Sequence, residues 1–271
     1  MPKRRIPYVF VIAALLAIPF FYLRDEMDTE EIKKHRHWIA KTRNSETYAI
    51  VFGGDSRVFR GISPEHFTAE FSGWEAFNYA YWANGYGKDY LEGIESKIDT
   101  ASELRMIVLG VTPHSLTRKT ARSAHYHWEK SRSKEHVLQS LYLSKVQEIF
   151  APYDAIELQE KLTGKSKPNN YRITYHENGW VESYWIVPDT SQASRSYKNL
   201  FTDDPVSEEV IAGLLDFVER WRAMGIYVVG FRPPTSHTIR QYEHERGGFS
   251  EAGFVEQFTG AGGIWIPISP D

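Results

Sequence analysis

The 271-residue chain contains no cysteine, which excludes disulfide bonds, cysteine-ligated metal sites, a thiol nucleophile and a lipidated-cysteine anchor. It also lacks an excess of charge of one sign. The 32 basic and 35 acidic residues give a net charge of −3, which offers no electrostatic support for nucleic-acid binding. With 42% hydrophobic and 25% charged residues, the composition is that of a globular protein. We therefore expect a folded domain and no nucleic-acid partner.

One long uncharged run lies near the N-terminus, from Ile6 to Leu23. As a helix, about 18 residues would span about 27 Å, close to the ~30 Å hydrocarbon core of a bilayer. Three basic residues at 3–5 precede the run and acidic residues follow it, so the positive-inside rule predicts a cytoplasmic N-terminus and an extracytoplasmic domain. A cleaved signal peptide is the alternative, but the run is long and ends without small residues. We predict a cytoplasmic tip and membrane anchor at 1–27 and a juxtamembrane stalk at 28–46.

Residues 47–271 alternate strand and helix patterns, which predicts a parallel sheet with crossover helices in a three-layer α/β/α sandwich. Strand patterns lie at 47–52, 74–81, 105–111, 225–231 and 263–268, and helical patterns at about 86–98, 134–150 and 205–224. For the last helix, Asp204 is the predicted N-cap and Pro205 lies in the first turn. An insertion at about 118–204 contains a predicted hairpin, Tyr171 to Val187, turned at Asn178-Gly179.

The most informative motif is Gly53-Gly54-Asp55-Ser56-Arg57, directly after the first predicted strand. A serine at this position lies at the edge where parallel sheets bind their ligands. The two glycines allow a sharp turn, and the start of the next helix can offer N–H groups to an oxyanion. The pattern therefore predicts a ligand or reaction site at Ser56.

Gly-Asp-Ser after a first strand resembles the nucleophile block of the SGNH/GDSL hydrolase superfamily. The longer run Gly-Gly-Asp-Ser-Arg-Val-Phe-Arg-Gly-Ile-Ser-Pro is similar to membrane-anchored bacterial members, among them the envelope protein of teichoic-acid D-alanylation. The resemblance implies a flavodoxin-like sandwich in which Ser56 attacks an acyl carbonyl and Asp55 has a supporting role. It also implies an oxyanion hole to which Gly85 gives its N–H, with the Asn84 amide as a second candidate donor.

The chain departs from the family pattern at two blocks. The third block, normally Gly-x-Asn-Asp, is Gly110-Val111-Thr112-Pro113, so the oxyanion asparagine is absent there. The Asp-x-x-His block that supplies the base is also absent, because the last strand runs into Pro270-Asp271. A truncated fragment, a non-catalytic relative or a different histidine would each explain this, and we favour C-terminal truncation. His237, after the fourth strand, is the best internal substitute; otherwise it caps the next helix or faces solvent.

Further polar residues remain open to two interpretations. Arg57 and Arg232 share the predicted rim, where they either clamp an anionic acyl acceptor or carrier, or form structural ion pairs with Asp55 or another acid. Two His-x-His pairs, at 35–37 and 125–127, lack the additional ligands that a metal site needs. We predict no metal and no cofactor.

Two functions follow as hypotheses. The first is a membrane-anchored serine acyl-esterase or O-acyltransferase that acts on an envelope polymer, glycan or lipid, with a membrane acyltransferase as a candidate partner. The second is a non-catalytic envelope factor that uses the same pocket to bind an acylated carrier or a membrane partner. The missing third-block asparagine favours the second hypothesis, and the placement of Ser56 favours the first.

Overall fold

The computed structural model describes residues 30–70, 73–143, 171–185, 197 and 200–268. The chain divides into two compact units, one formed by 1–39 with 132–169 and the other by 40–131 with 170–271. The predicted membrane segment and the final residues of the chain lie outside the described residues. Within the described ranges, none of the helices has both the length and the apolarity needed to cross a bilayer.

About half of the structure is helical. The helices are α1 Glu30–Arg43, α2 Ser56–Gly61, α3 Pro64–Glu70, α4 Lys88–Glu95, α5 Arg118–Ala121, α6 Ala124–Ser131, α7 Lys134–Leu138, α8 Glu208–Ala223, α9 His237–Gly247 and α10 Glu251–Gly260, with a 3₁₀ turn at His114–Leu116 and a π-helical turn at Gln139–Leu143. The strands are β1 Ile50–Gly54, β2 Ala76–Asn78, β3 Met106–Gly110, β4 Tyr171–Tyr175, β5 Val181–Trp185, β6 Tyr227–Phe231 and β7 Ile264–Ile266.

Five strands form one parallel sheet in the order β2-β1-β3-β6-β7. All five predicted core strands are present, and the prediction of a parallel α/β domain is confirmed. All five residues of β1 are buried, as expected for a strand near the middle of a parallel sheet. The chain leaves β1 for β2 on one side and returns to β3 on the other. The strand order therefore reverses beside β1, and such a reversal opens a crevice at the carboxyl ends of the strands.

Helix α8 covers one face of this sheet, contacting β6 as well as the neighbouring helices α4 and α10. Its apolar stripe is buried and consists of Ile211, Leu214, Phe217, Val218 and Trp221. This confirms the helix predicted at 205–224 but corrects its start, because Ser207 and not Asp204 is the N-cap. The Asp204 carboxylate instead accepts the Lys119 N–H at 3.1 Å, and Val206 forms an antiparallel bridge with Thr117. These contacts keep the preceding segment extended.

The predicted hairpin is confirmed as β4 and β5, which pair antiparallel around the Asn178-Gly179 turn. The tip of the hairpin packs against β2, where the Asn78 N–H donates to the Asn178 carbonyl at 2.9 Å. Gly179 has a φ of +84°, and a Cβ there would lie 2.1 Å from the Asn78 carbonyl oxygen. The hairpin thus covers the edge of the sheet at β2 and limits the exposure of unpaired backbone groups.

Helix α1 corrects the predicted boundary between stalk and domain. Its last turn belongs to the larger unit, where Lys41 Nζ donates to the Gly179 carbonyl at 2.8 Å and Thr42 Oγ1 hydrogen-bonds to the Tyr81 hydroxyl at 2.9 Å. Burial lowers the pKa of the Lys41 amine well below its ordinary value. The folded unit therefore begins near residue 40 rather than at 47. The helix predicted at 134–150 is confirmed for its first turns, and its remainder lies outside the described residues.

Candidate functional site at the carboxyl edge of β1

The turn between β1 and α2 places Ser56 at the crevice of the sheet. Gly54 has a φ of +151°, and a Cβ there would lie 2.5 Å from Val58 Cγ2 and 3.0 Å from the Gly110 carbonyl oxygen. Only glycine fits this close approach between neighbouring strands and the helix. Ser56 is half-buried and is the first residue of α2. In the described part of the chain its N–H has no protein acceptor, as is usual at a helix N-terminus.

Asp55 has a supporting position rather than a reactive one. It is 3% exposed and caps α2, with Oδ1 accepting the Arg57 N–H at 2.9 Å. Its second oxygen, Oδ2, accepts a hydrogen bond from the Thr112 hydroxyl at 2.9 Å. Thr112 occupies the third-block position where the SGNH pattern has asparagine. In this chain that position therefore ties the loop after β3 to the loop after β1.

Two buried side chains hold α2 and the turn that precedes it. Asn78 Nδ2 donates to the carbonyls of Val58 at 3.0 Å and Ile62 at 2.9 Å, which are at the end of the helix. The Tyr90 hydroxyl accepts the Gly54 N–H at 2.9 Å, immediately before the Asp55-Ser56 turn. Because these partners come from β2 and α4, the position of Ser56 is set by several elements at once.

The predicted oxyanion donors are used elsewhere, which corrects the assignment of Gly85. Its N–H donates to the Thr120 carbonyl at 2.9 Å, so it is not available to an oxyanion. A Cβ on Gly85 would lie 2.6 Å from the Thr120 carbonyl carbon, so this glycine is required for close packing against α5. Asn84 is 1% exposed, and its Nδ2 donates to the Gly85 carbonyl at a long 3.3 Å. The Ser56 N–H, in contrast, has no protein acceptor among the described residues.

Arg57 and Arg232 form structural ion pairs rather than an open anion clamp. Both contact the carboxylate of Glu243, which is 0% exposed, at 2.7 Å each. Arg57 also donates to Thr235 Oγ1 at 2.8 Å and to the Tyr197 hydroxyl, and Arg232 also pairs with Glu251. Burial would lower the pKa of the Arg57 guanidinium, but nearby acidic groups hold it above its ordinary value. The partner acid is Glu243 and not Asp55.

Sequence reasoning missed Glu243 because it lies in the middle of α9 and no local pattern marks it. Only the fold brings α9 to the ends of β1 and β6.

His114 is the second residue that sequence reasoning missed. It begins the 3₁₀ turn after β3, is half-buried, and its ring meets Phe201 edge-on at 6.4 Å. Burial lowers the pKa of its imidazole, and Arg57 lowers it further, while Asp55, Asp204 and Glu243 raise it. The residues on either side of Ser56 thus act electrostatically on His114. The sequence contains a signal for His114, because it lies in the loop after β3 just as His237 lies in the loop after β6.

His237 lies at the start of α9 and is exposed. Thr235, two residues before it, contacts Arg57, so the segment borders the site. In the described residues no hydrogen bond joins the His237 ring to a site residue. The described contacts therefore place the segment before His237, and not its ring, at the site.

No metal centre marks the Ser56 site in the described part of the chain. The described ranges hold no group of three or more histidine, aspartate or glutamate side chains able to bind a metal ion. A cleft of about 720 Å³ lies between α4, α5 and α8, but Ser56 does not line it. The site lies where the loops after β1, β3 and β6 meet. Comparison with protein-family models, curated proteins and solved structures finds no match for this chain.

Proposed function

We propose that this chain is a serine acyl-esterase or O-acyltransferase of the SGNH type that acts on an envelope polymer, glycan or lipid. One observation carries the proposal: Ser56 opens a helix directly after the buried strand β1, beside the reversal of strand order. The N-terminal segment would anchor the domain on the outer face of the membrane, next to such a substrate.

The chemistry assigned to the site is acyl transfer through Ser56. Its Oγ attacks the ester carbonyl while His114 accepts the hydroxyl proton, and the Ser56 N–H stabilises the negative charge that forms on the carbonyl oxygen. Collapse of this intermediate breaks the bond to the leaving alcohol, which takes the proton from His114. Water or an acceptor hydroxyl then attacks the acyl-Ser56 ester, and His114 again accepts the proton and returns it to Ser56.

Fluorophosphonate labelling of the full chain tests the proposal, because this probe reacts with activated serines. We expect wild type to be labelled, Ser56→Ala to be unlabelled, and Ser131→Ala, at an exposed helical serine, to match wild type. We expect His114→Ala to lower the labelling rate about 100-fold or more and His237→Ala to leave it unchanged. The wild-type labelling rate should rise with pH to a plateau, and the midpoint of the rise should lie below the ordinary pKa of histidine, since burial lowers the pKa of His114.

The outcomes distinguish the proposed role of Ser56 as nucleophile from that of His114 as base. An unlabelled wild-type chain contradicts the enzymatic proposal, whereas labelling with unchanged rate and pH profile in His114→Ala contradicts only the role of His114.

The alternative proposal is a non-catalytic envelope factor that binds an acylated carrier or a membrane partner. It is favoured by the Gly85 N–H, which bonds to Thr120, and by the Thr112 hydroxyl, which bonds to Asp55. Under this alternative, Ser56→Ala would restore full function to a strain that lacks the protein.

A further inference from the structure

An exposed tryptophan lies at the same edge of the sheet as Ser56. Trp82 follows β2 by four residues and is 54% exposed, although large aromatic side chains are usually buried. The next residue, Ala83, has a φ of +45°, which is uncommon for a residue other than glycine. The fold thus accepts a strained backbone where it holds an indole in solvent, and such strain is often associated with function.

Arg60 connects this tryptophan to the Ser56 helix. Its guanidinium carbon lies 5.1 Å from the centre of the Trp82 ring, 5.4 Å from that of Phe59 and 5.9 Å from that of Tyr171. Arg60 is four residues after Ser56 in α2, so the two side chains project from the same side of that helix. A surface formed by Trp82 and Arg60, here called the Trp82 platform, therefore adjoins the candidate nucleophile.

The Trp82 platform is also held in place by the hairpin. Trp180 Nε1 donates to the Arg60 carbonyl at 2.9 Å, and the ring of Tyr171 on β4 lies beside the Arg60 guanidinium. A flat indole that is fixed before binding loses little conformational entropy when a ligand stacks on it. The platform is thus pre-organised for a flat, partly apolar ligand.

We propose that the Trp82 platform binds a pyranose ring of a glycan, with the C–H face of the sugar on the indole face opposite Arg60 and sugar hydroxyls directed past the edge of the ring towards the Arg60 guanidinium. A sugar has both an apolar face and polar edges, which matches an indole next to a hydrogen-bond donor. A lipid chain fits less well, because the exposed aliphatic residues of the sheet, Ile264, Ile266 and Ile268, lie at β7 on its opposite edge. The identification of this glycan as the acyl donor or acceptor rests on the proposed function.

Titration of the full chain, purified in detergent, with chitotetraose and cellotetraose tests the proposal through tryptophan fluorescence and calorimetry. We expect saturable binding of at least one of these sugars. Trp82→Ala should weaken it roughly tenfold, since stacking on an aromatic ring contributes on the order of one such factor. Trp128→Ala is the matched control, because this tryptophan is 48% exposed on α6 and should leave binding unchanged.

Three outcomes contradict the proposal for the Trp82 platform. Neither sugar binds, or Trp82→Ala binds sugar as tightly as wild type, or the chain binds phosphatidylglycerol vesicles through Trp82 and does not bind sugars. Measurement in a Ser56→Ala background separates this proposal from the proposed function, since binding does not need the nucleophile. Sugar binding that depends on Trp82 in a chain without fluorophosphonate labelling would support the platform and contradict the enzyme. Labelling without sugar binding would do the reverse.

Discussion

We expect substitution of Glu243 to destabilise the domain more than substitution of any other charged residue around the site. Its carboxylate is fully buried and bonds to Arg57 and Arg232, whose side chains are 17% and 10% exposed. Glu243→Ala would leave two nearly buried positive charges without their shared partner. Breaking a buried pair in this way costs about 3–5 kcal/mol. We expect the lower end, because Arg232 retains Glu251 and Arg57 retains its hydroxyl partners.

A loss of about 3 kcal/mol corresponds to a fall in melting temperature of about 6–12 °C for a domain of this size. Urea unfolding followed by circular dichroism measures the free energy directly. Glu245→Ala is the matched control, because Glu245 is exposed on the same helix and bonds only to Gln241 among the described residues. The control should change stability by less than about 0.5 kcal/mol.

Glu243→Gln gives a second measurement if the alanine variant does not fold. The amide keeps the size of the side chain and one acceptor oxygen, so an intermediate loss is expected. A Glu243→Ala chain whose free energy of unfolding stays within about 1 kcal/mol of wild type would refute the expected cost of breaking this buried ion pair.

Two further predictions concern the hairpin and the acid limb of stability. Gly179→Ala should lower the free energy of unfolding, measured in urea, by about 2 kcal/mol more than Gly248→Ala. Both glycines have a positive φ, but only a Cβ at position 179 would clash with a backbone atom, the Asn78 carbonyl oxygen. Equal losses would show that the positive φ, and not the clash, determines the cost. Burial would raise the pKa of Glu251, but hydrogen bonds from Arg240 and Arg232 outweigh it and hold the pKa below its ordinary value. The unfolded chain then binds more protons than the folded chain at acid pH, so the stability that Glu251 contributes is present above a pH of about 4.3 and is lost as the pH falls. Glu251→Gln should remove this contribution, which is less than about 1 kcal/mol for a partly exposed group. If the free energy of unfolding of Glu251→Gln falls with acid pH as much as that of wild type, the prediction is wrong.

The strands of the sheet could be predicted because their signals are local. Each core strand is a short apolar run bounded by turn residues, and the Asn178-Gly179 pair marks the hairpin by itself. The start of α8 could not be predicted in the same way. Asp204 and Pro205 have good local signals for a helix start, but a hydrogen bond to Lys119 and a bridge from Val206 to Thr117 compete with it. Both partners lie more than 80 residues away in the chain.

The roles of the site residues show the same division between local and distant information. The motif places Ser56, because a glycine-rich turn after β1 is sufficient to do so. It does not determine which donors remain available at that edge, since each polar group binds whichever partner the completed fold brings to it. Gly85 bonds to Thr120, so it does not have the oxyanion role that the resemblance implied, and Arg57 bonds to Glu243, which is the ion-pair interpretation of that residue. Among the described residues the Ser56 N–H keeps no protein acceptor, and Asp55 and Arg57 act electrostatically on His114, so variants at these two positions test the proposed acyl transfer most directly.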